Sequence, residues 1–377
     1  MSRSRQGGCQ LYYNHVFCSI TMAIPPRPYE ELSLPAQTAY AELIESARAR
    51  ELDRSIAHLS GSFSSKTVKG RTYWYYQYRD VDGSVRQIYV GPDTGEVRAL
   101  MARAREKPTR ALEPLARSAI ALGCERVLPR HFRIVRRLSE YGFFHAGGVL
   151  IGTHAFLSIG NLLGVRWRDG SRTQDIDFAH AGKNISIALP ATVKVDVHKA
   201  LKSLEMGFLP ISTFGGEAGA TYLNPREPEL RLDFLTTLHR RGGRAFTPEN
   251  LNVALQPLKF MEFALEHPVQ AAVFCEEGAV TVNIPSPARY ALHKLLVWGE
   301  RKEAFRTKAA KDLLQAAALI AYFKDHRSEE LRDAWRDLLS RGKGWRTRAR
   351  QGRNALSKAV PDFQLERLLP NPAGKAK

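Results

Sequence analysis

The stretch from Gly147 to Ala179, GGVLIGTHAFLSIGNLLGVRWRDGSRTQDIDFA, constrains the fold more than any other part of the chain. It reads as a short apolar strand, a turn at Gly152-Thr153, a helix, a polar loop and a second strand carrying Asp175 and Asp177. In that second strand Ile176 and Phe178 alternate with the acids, and strand side chains alternate faces. Both carboxylates therefore project to one side while the apolar pair enters the core. Two like charges about 7 Å apart along a strand repel each other, and a partly buried pair needs a counter-charge. A divalent cation is the simplest one, so the stretch predicts a metal-dependent phosphoryl-transfer site.

The charge balance narrows the partners. With 56 Lys+Arg against 38 Asp+Glu, the chain carries a formal charge of +18. Such an excess favours polyanions, nucleic acid first among them; nucleotides and a merely solvated basic surface also fit it. The 377 residues suffice for two or three domains. Cys9, Cys18, Cys124 and Cys275 are scattered without C-x-x-C spacing, which argues against zinc and a disulfide framework and fits a reducing cytoplasm. No apolar run approaches the roughly 18 residues that span a bilayer, so no membrane partner is expected. The first 21 residues lack the apolar centre of a signal peptide. They are expected to be an upstream extension, with Met22 as the start.

Taken in order, the chain divides into a Pro-rich mobile arm (1–34), a helix (35–60), a small β module (61–93), a helical connector (94–130), a mixed-sheet domain (131–285), a helical C-terminal domain (286–340) and a basic tail (341–377). In the β module, runs Arg71–Arg79 and Val85–Val90 flank an Asp82-Gly83 turn, predicting an antiparallel sheet of two or three strands. Tyr73, Tyr75 and Gln77 share one face, and Thr72, Trp74, Tyr76 and Tyr78 share the other, with Lys66, Lys69, Arg71, Arg79 and Arg86 around them. Basic residues interleaved with aromatics suit base stacking; they equally suit a small sheet that can pack only with large side chains. The module resembles the three-stranded arm-type modules near the N-termini of phage integrases and transposase-like proteins. Further on, 193–206 reads as helix, 218–225 and 229–238 as strands, and 271–287 as a hairpin turning near Glu277-Gly278. From Arg341 to Lys358 there are seven Lys or Arg and no acid, which fits a disordered tail or a polyanion-binding strip.

The order Gly-Thr turn, helix, Asp175-Ile176-Asp177, then Asp233 between Leu232 and Phe234 resembles the nucleotidyltransferase superfamily, with its DNA polymerase β-like palm. The similarity covers about residues 140–325 and is greatest to the branch of stand-alone and abortive-infection-type nucleotidyltransferases, where a segment like RTQDIDF leads into the acids. The later IPSPARYALHKLLVWGERK…KAAKDLLQAAALI resembles that branch's helical motif, whose nucleotide-facing residues fall on Lys294, Lys311 and Asp312. The resemblance implies an α+β fold, a mixed-sheet palm followed by a helical region and preceded by the β module. It implies a nucleoside triphosphate substrate, two Mg²⁺ ions (or Mn²⁺) on Asp175, Asp177 and Asp233, and triphosphate oxygens on the amides of Gly152 and Thr153. The acceptor hydroxyl is expected on RNA or tRNA, with RNA or DNA engaged by the β module and the basic tail. Relatives that are toxins add an antitoxin-like protein as a partner.

Other readings of the same residues stay open. A small-molecule, antibiotic-type adenylyltransferase has the same site, and a catalytically inactive nucleic-acid-binding protein has the same fold. Arg231 can pair an acid at a sheet edge. Lys294 and Lys311 can lie on a solvated helix face, Asp312 can be an ordinary helix-surface acid, and His154 suits a packed helix as well as a nucleotide contact. Thr153 stands where relatives carry Ser or Gly, and WRDGSR lengthens the path from turn to acids.

Overall fold

The computed structural model describes residues 27–56, 61–68, 70–79, 85–105, 111–168, 173–181, 195–212, 218–238, 243–300 and 306–371. The chain begins with β1 (Tyr29–Glu31), α1 (Leu34–Ile56), β2 (Gly61–Val68), β3 (Arg71–Arg79), β4 (Val85–Pro92), α2 (Gly95–Arg105), α3 (Leu112–Ala121) and α4 (Pro129–Glu140). The central part follows as β5 (Gly148–Ile151), α5 (Gly152–Leu163), β6 (Val165–Trp167), β7 (Asp175–His180), α6 (Val197–Lys202), β8 (Leu209–Ser212), β9 (Ala218–Asn224), β10 (Glu227–Thr237), β11 (Gln256–Leu258) and α7 (Met261–Leu265). A hairpin, β12 (Val269–Cys275) and β13 (Gly278–Ile284), leads to α8 (Pro287–Glu300), α9 (Arg306–His326), α10 (Ser328–Ser340), α11 (Lys343–Ala359) and α12 (Leu365–Leu368).

The architecture is α+β. A mixed sheet runs in the order β5-β7-β10-β9-β8, with β11 also against β10. β7 and β10 are parallel, with Asp177 opposite Asp233, and β5 is antiparallel to β7, with Ile151 opposite Asp177. The alternation read from the sequence sets the two faces. Ile176, Phe178, Leu232 and Phe234 are fully buried. Phe178 stacks on Phe234 with centroids 5.3 Å apart, and the Phe143 ring meets Phe178 edge-on. On the opposite face, Val149, Ile151 and Ala179 pack with Met261, Ala264 and Leu265 of α7. That face is therefore closed at one end of the strands, and the acids occupy the other.

Several expectations meet a different outcome. The arm does not stay irregular up to residue 34: β1 pairs antiparallel with β6, and Tyr29 is buried, donating its hydroxyl to Asp325 at 2.6 Å. Once that ring is inside, the backbone must find partners, and β6 supplies them. Among the described residues of the helix expected over 193–206, only Val197–Lys202 is helical, capped by Asp196, whose carboxylate accepts from the Lys199 amide at 2.8 Å. The basic stretch from Arg341 to Lys358 begins at the C-cap of α10 and runs on as the helix α11, with Ala349, Gly352, Arg353 and Leu356 buried. Its cations are partly taken up by acids elsewhere: Arg348 bonds Glu300 at 2.7 Å, Arg341 reaches Asp337 at 2.8 Å, and Arg353 pairs with Glu366. The segment before Arg27, the Asp82-Gly83 turn, Lys69 and the loop residues 169–172 lie outside the described residues.

Candidate active site

Gly152 fixes the geometry. It has φ +64, and a Cβ built there would lie 2.0 Å from Oδ2 of Asp177. The turn from β5 into α5 thus rests directly on the carboxylate of the neighbouring strand, and a side chain has no room. Left-handed φ and close approach are both conditions that glycine alone meets without strain. Thr153, next along, is buried.

Asp177 and Asp233 sit side by side, because β7 and β10 run parallel in register. Asp175, two residues earlier on the same face, stands opposite Arg231 rather than an acid. All three carboxylates are half-buried. Burial, with the charge of Asp233 next and that of Asp175 smaller, pushes Asp177 up to about 6, while Lys294 and Lys308 pull the other way. Asp233 accepts a hydrogen bond of 2.5 Å from the hydroxyl of Thr221 on β9, which fixes the orientation of its carboxylate.

A second layer comes from the helices. Lys294 on α8 forms an ion pair of 2.8 Å with Asp312 on α9, and both side chains are largely buried. The ammonium also lies over the Tyr290 ring, 5.1 Å from its centroid. Burial works against its charge, but Tyr290, Asp312 and Asp177 outweigh that and hold Lys294 above its ordinary value. Tyr290 itself donates its hydroxyl to the Gly152 carbonyl at 2.8 Å and lies 3.0 Å from the Gln315 amide oxygen. The helical region therefore holds the glycine turn from behind.

The sequence candidates thus fall into groups. Gly152, Asp177 and Asp233 meet at one point, with Asp175 at its margin. Lys294 and Asp312 come together as a buried pair whose cation acts on Asp177. Lys311 is half-buried, and its charge is felt by His154. His154 is a packed helix histidine, 2.9 Å from His131, and burial and the neighbouring His131 lower it to about 3. Thr221, Tyr290 and Lys308 are missing from the sequence reading. Tyr290 precedes Lys294 by one helical turn and was open to detection by i, i+4 spacing; Thr221 needed the strand pairing.

The donor set is all carboxylate, the chemistry of Mg²⁺ or Mn²⁺. Among the described residues no group of three or more His, Cys, Asp or Glu stands ready to hold an ion. Mg²⁺ nevertheless takes as few as one or two carboxylates and completes its shell with phosphate oxygens and water. Two adjacent acids, one with its proton affinity raised by burial and by the other's charge, fit such a cation.

The profile of a family described as Nucleotidyltransferase matches residues 130–340, more than half of the chain. The chain belongs to this nucleotidyltransferase family. As a nucleotidyltransferase it acts on a nucleoside triphosphate, and the matched span contains every residue of the site. A second profile, of a domain of unknown function (DUF6788), matches residues 40–99, from within α1 through the β module to the start of α2. No curated protein matches the chain. A solved structure, an antigenic nucleotidyltransferase-like protein from Paracoccidioides brasiliensis, aligns with 16% identity over 63% of this chain and 95% of its own, at a TM-score of 0.30. Among the described residues no helix is long and apolar enough to cross a membrane.

Proposed function

We propose that this nucleotidyltransferase moves a nucleoside monophosphate from a triphosphate to a hydroxyl on RNA, in a divalent-cation-dependent reaction at Asp175, Asp177 and Asp233. The observation that carries the reading is the register of Asp177 beside Asp233, with the Gly152 turn resting on Asp177. In the reaction the acceptor oxygen bonds the α-phosphorus, the bond to the β-phosphate oxygen breaks, and pyrophosphate leaves. Bound Mg²⁺ would neutralise charge on the attacking and leaving oxygens. Asp177 and Asp233, with Asp175 beside them, are the carboxylates that would hold those ions. Asp233 keeps one oxygen for Thr221 and offers the other to the cation or the hydroxyl proton. The amides opening α5 suit triphosphate oxygens, and Tyr290 holds their turn in place. Lys294, tethered by Asp312, contributes positive field more than a direct phosphate bond. The charge of +18 favours RNA over a cationic small acceptor.

The test is incubation with each α-labelled triphosphate, Mg²⁺ and total RNA, comparing wild type with Asp177→Ala/Asp233→Ala. Label is expected in RNA with the wild type alone, and chelation is expected to abolish it. Label in a small acceptor instead of RNA would replace the acceptor. Label retained by the double variant would refute the site.

A further inference from the structure

The three-stranded sheet β2-β3-β4 has two faces with different fates. On one, Tyr76 is buried with Phe63 edge-on to it at 5.2 Å. On that same face the Trp74 indole donates to Asp93 at 2.8 Å, and Asp93 in turn accepts from Arg98 of α2 at 2.7 Å. Tyr76 is the enclosed ring of this face, with Phe63, Trp74 and Tyr78 half-buried around it. The other face carries Tyr73, Tyr75 and Tyr89, all half-buried rather than enclosed. The ring of Tyr89 lies 5.5 Å from Tyr75 and 6.3 Å from Tyr73, centroid to centroid. Lys66 stands over Tyr75 at 5.4 Å and donates to Gln87 at 2.6 Å, and Gln87 donates to Gln77 at 3.2 Å. None of the three rings on this side is enclosed as Tyr76 is. They form a row of rings edged by an ammonium and two amides.

We propose that this tyrosine face binds single-stranded nucleic acid, with bases stacking on Tyr73, Tyr75 and Tyr89 and Lys66 placed for the backbone. Aromatic rings on an open sheet are a stacking platform for unpaired bases, whereas a duplex hides its base faces. The charge is complementary: residues 61–92 contain five Lys or Arg and two Asp. Gln77 and Gln87 supply amide donors and acceptors of the kind that read base edges. The proposal deepens the RNA-acceptor reading, since it gives the acceptor strand a holding surface in the region matched by the second profile. Binding itself requires neither the triphosphate nor the catalytic acids.

The experiment is fluorescence anisotropy of the full chain with labelled oligouridylate and oligothymidylate of about a dozen nucleotides, without triphosphate or Mg²⁺. Tyr75→Ala/Tyr89→Ala is expected to weaken binding about tenfold or more, and Tyr75→Phe/Tyr89→Phe to stay within about twofold of wild type. Asp177→Ala is expected to bind as wild type does. Since an alanine variant can unfold the module, wild-type protein is also cross-linked to RNA carrying 4-thiouridine, with adducts expected on the peptides of Tyr73–Tyr89. Adducts only elsewhere, duplex bound as tightly as single strand, or no oligonucleotide binding at all would overturn the proposal, the last leaving the face to a protein partner. Binding that persists while label transfer fails refutes the acceptor reading and leaves this surface intact.

Discussion

Replacing Gly152 by alanine tests the site at its tightest point. A methyl group there would sit 2.0 Å from Oδ2 and 2.9 Å from Cγ of Asp177, so the carboxylate or the turn must move. The left-handed backbone at φ +64 costs a non-glycine residue about 1–2 kcal/mol. Rotating Asp177 off its preferred rotamer adds about 1 kcal/mol. Together these lower stability by about 2–3 kcal/mol, or about 3 °C in melting temperature for a chain of this length. The effect on transfer should be much larger, since a displacement of about 1 Å at a reacting centre costs about a hundredfold. A control separates the two effects. Gly164, the left-handed C-cap of α5, has φ +72 and Gln37 within 2.9 Å of a built Cβ, but it is a helix length away from the acids. Gly164→Ala should therefore melt lower yet transfer label at nearly the wild-type rate per folded molecule. Single-turnover transfer and thermal melts on both variants decide the matter. A Gly152→Ala enzyme that melts like wild type and transfers within about threefold of it would refute the reasoning.

Other perturbations have their own signatures. Asp177→Asn should abolish transfer and, in metal-free buffer, melt higher than wild type above about pH 6. Its carboxyl takes up protons more readily folded than unfolded, so ionisation destabilises the fold as pH rises and the advantage fades toward acid. Thr221→Val should lower the transfer rate about tenfold, the worth of one hydrogen bond to a charged group, while leaving the triphosphate KM nearly unchanged. The His131–His154 pair should make the fold acid-sensitive. Burial depresses both, to about 4 and about 3, so the unfolded chain binds more protons as pH falls below 6.5. Each histidine then removes up to about 2 kcal/mol at pH 5, and melts of His154→Asn from pH 8 to pH 5 should show a shallower decline than wild type.

Much of this was legible because local chemistry and global fold agree. The alternation of Asp175, Ile176, Asp177 and Phe178 fixed both strand and faces, and the same logic applied to Asp233. The long amphipathic runs that became α8, α9 and α10 carried their own period. The later basic run was ambiguous because charge composition does not say whether acids wait across the fold. Arg348 finds Glu300 and Arg353 finds Glu366 only after α11 has packed.

Two-residue periodicity, a local property of the backbone, was enough to name the residue types of the candidate site and the strands that carry them. Packing in three dimensions sets Asp177 beside Asp233 across a parallel pair and Asp175 beside Arg231. Register between strands about fifty residues apart is set by the core packing of Phe178 on Phe234. Tertiary packing also decided that Lys294 is tethered by Asp312 and that Tyr290 holds the Gly152 carbonyl. It decided too which tyrosines of the β module serve its core and which stay half-open, because faces are assigned locally but covered by whatever packs against them.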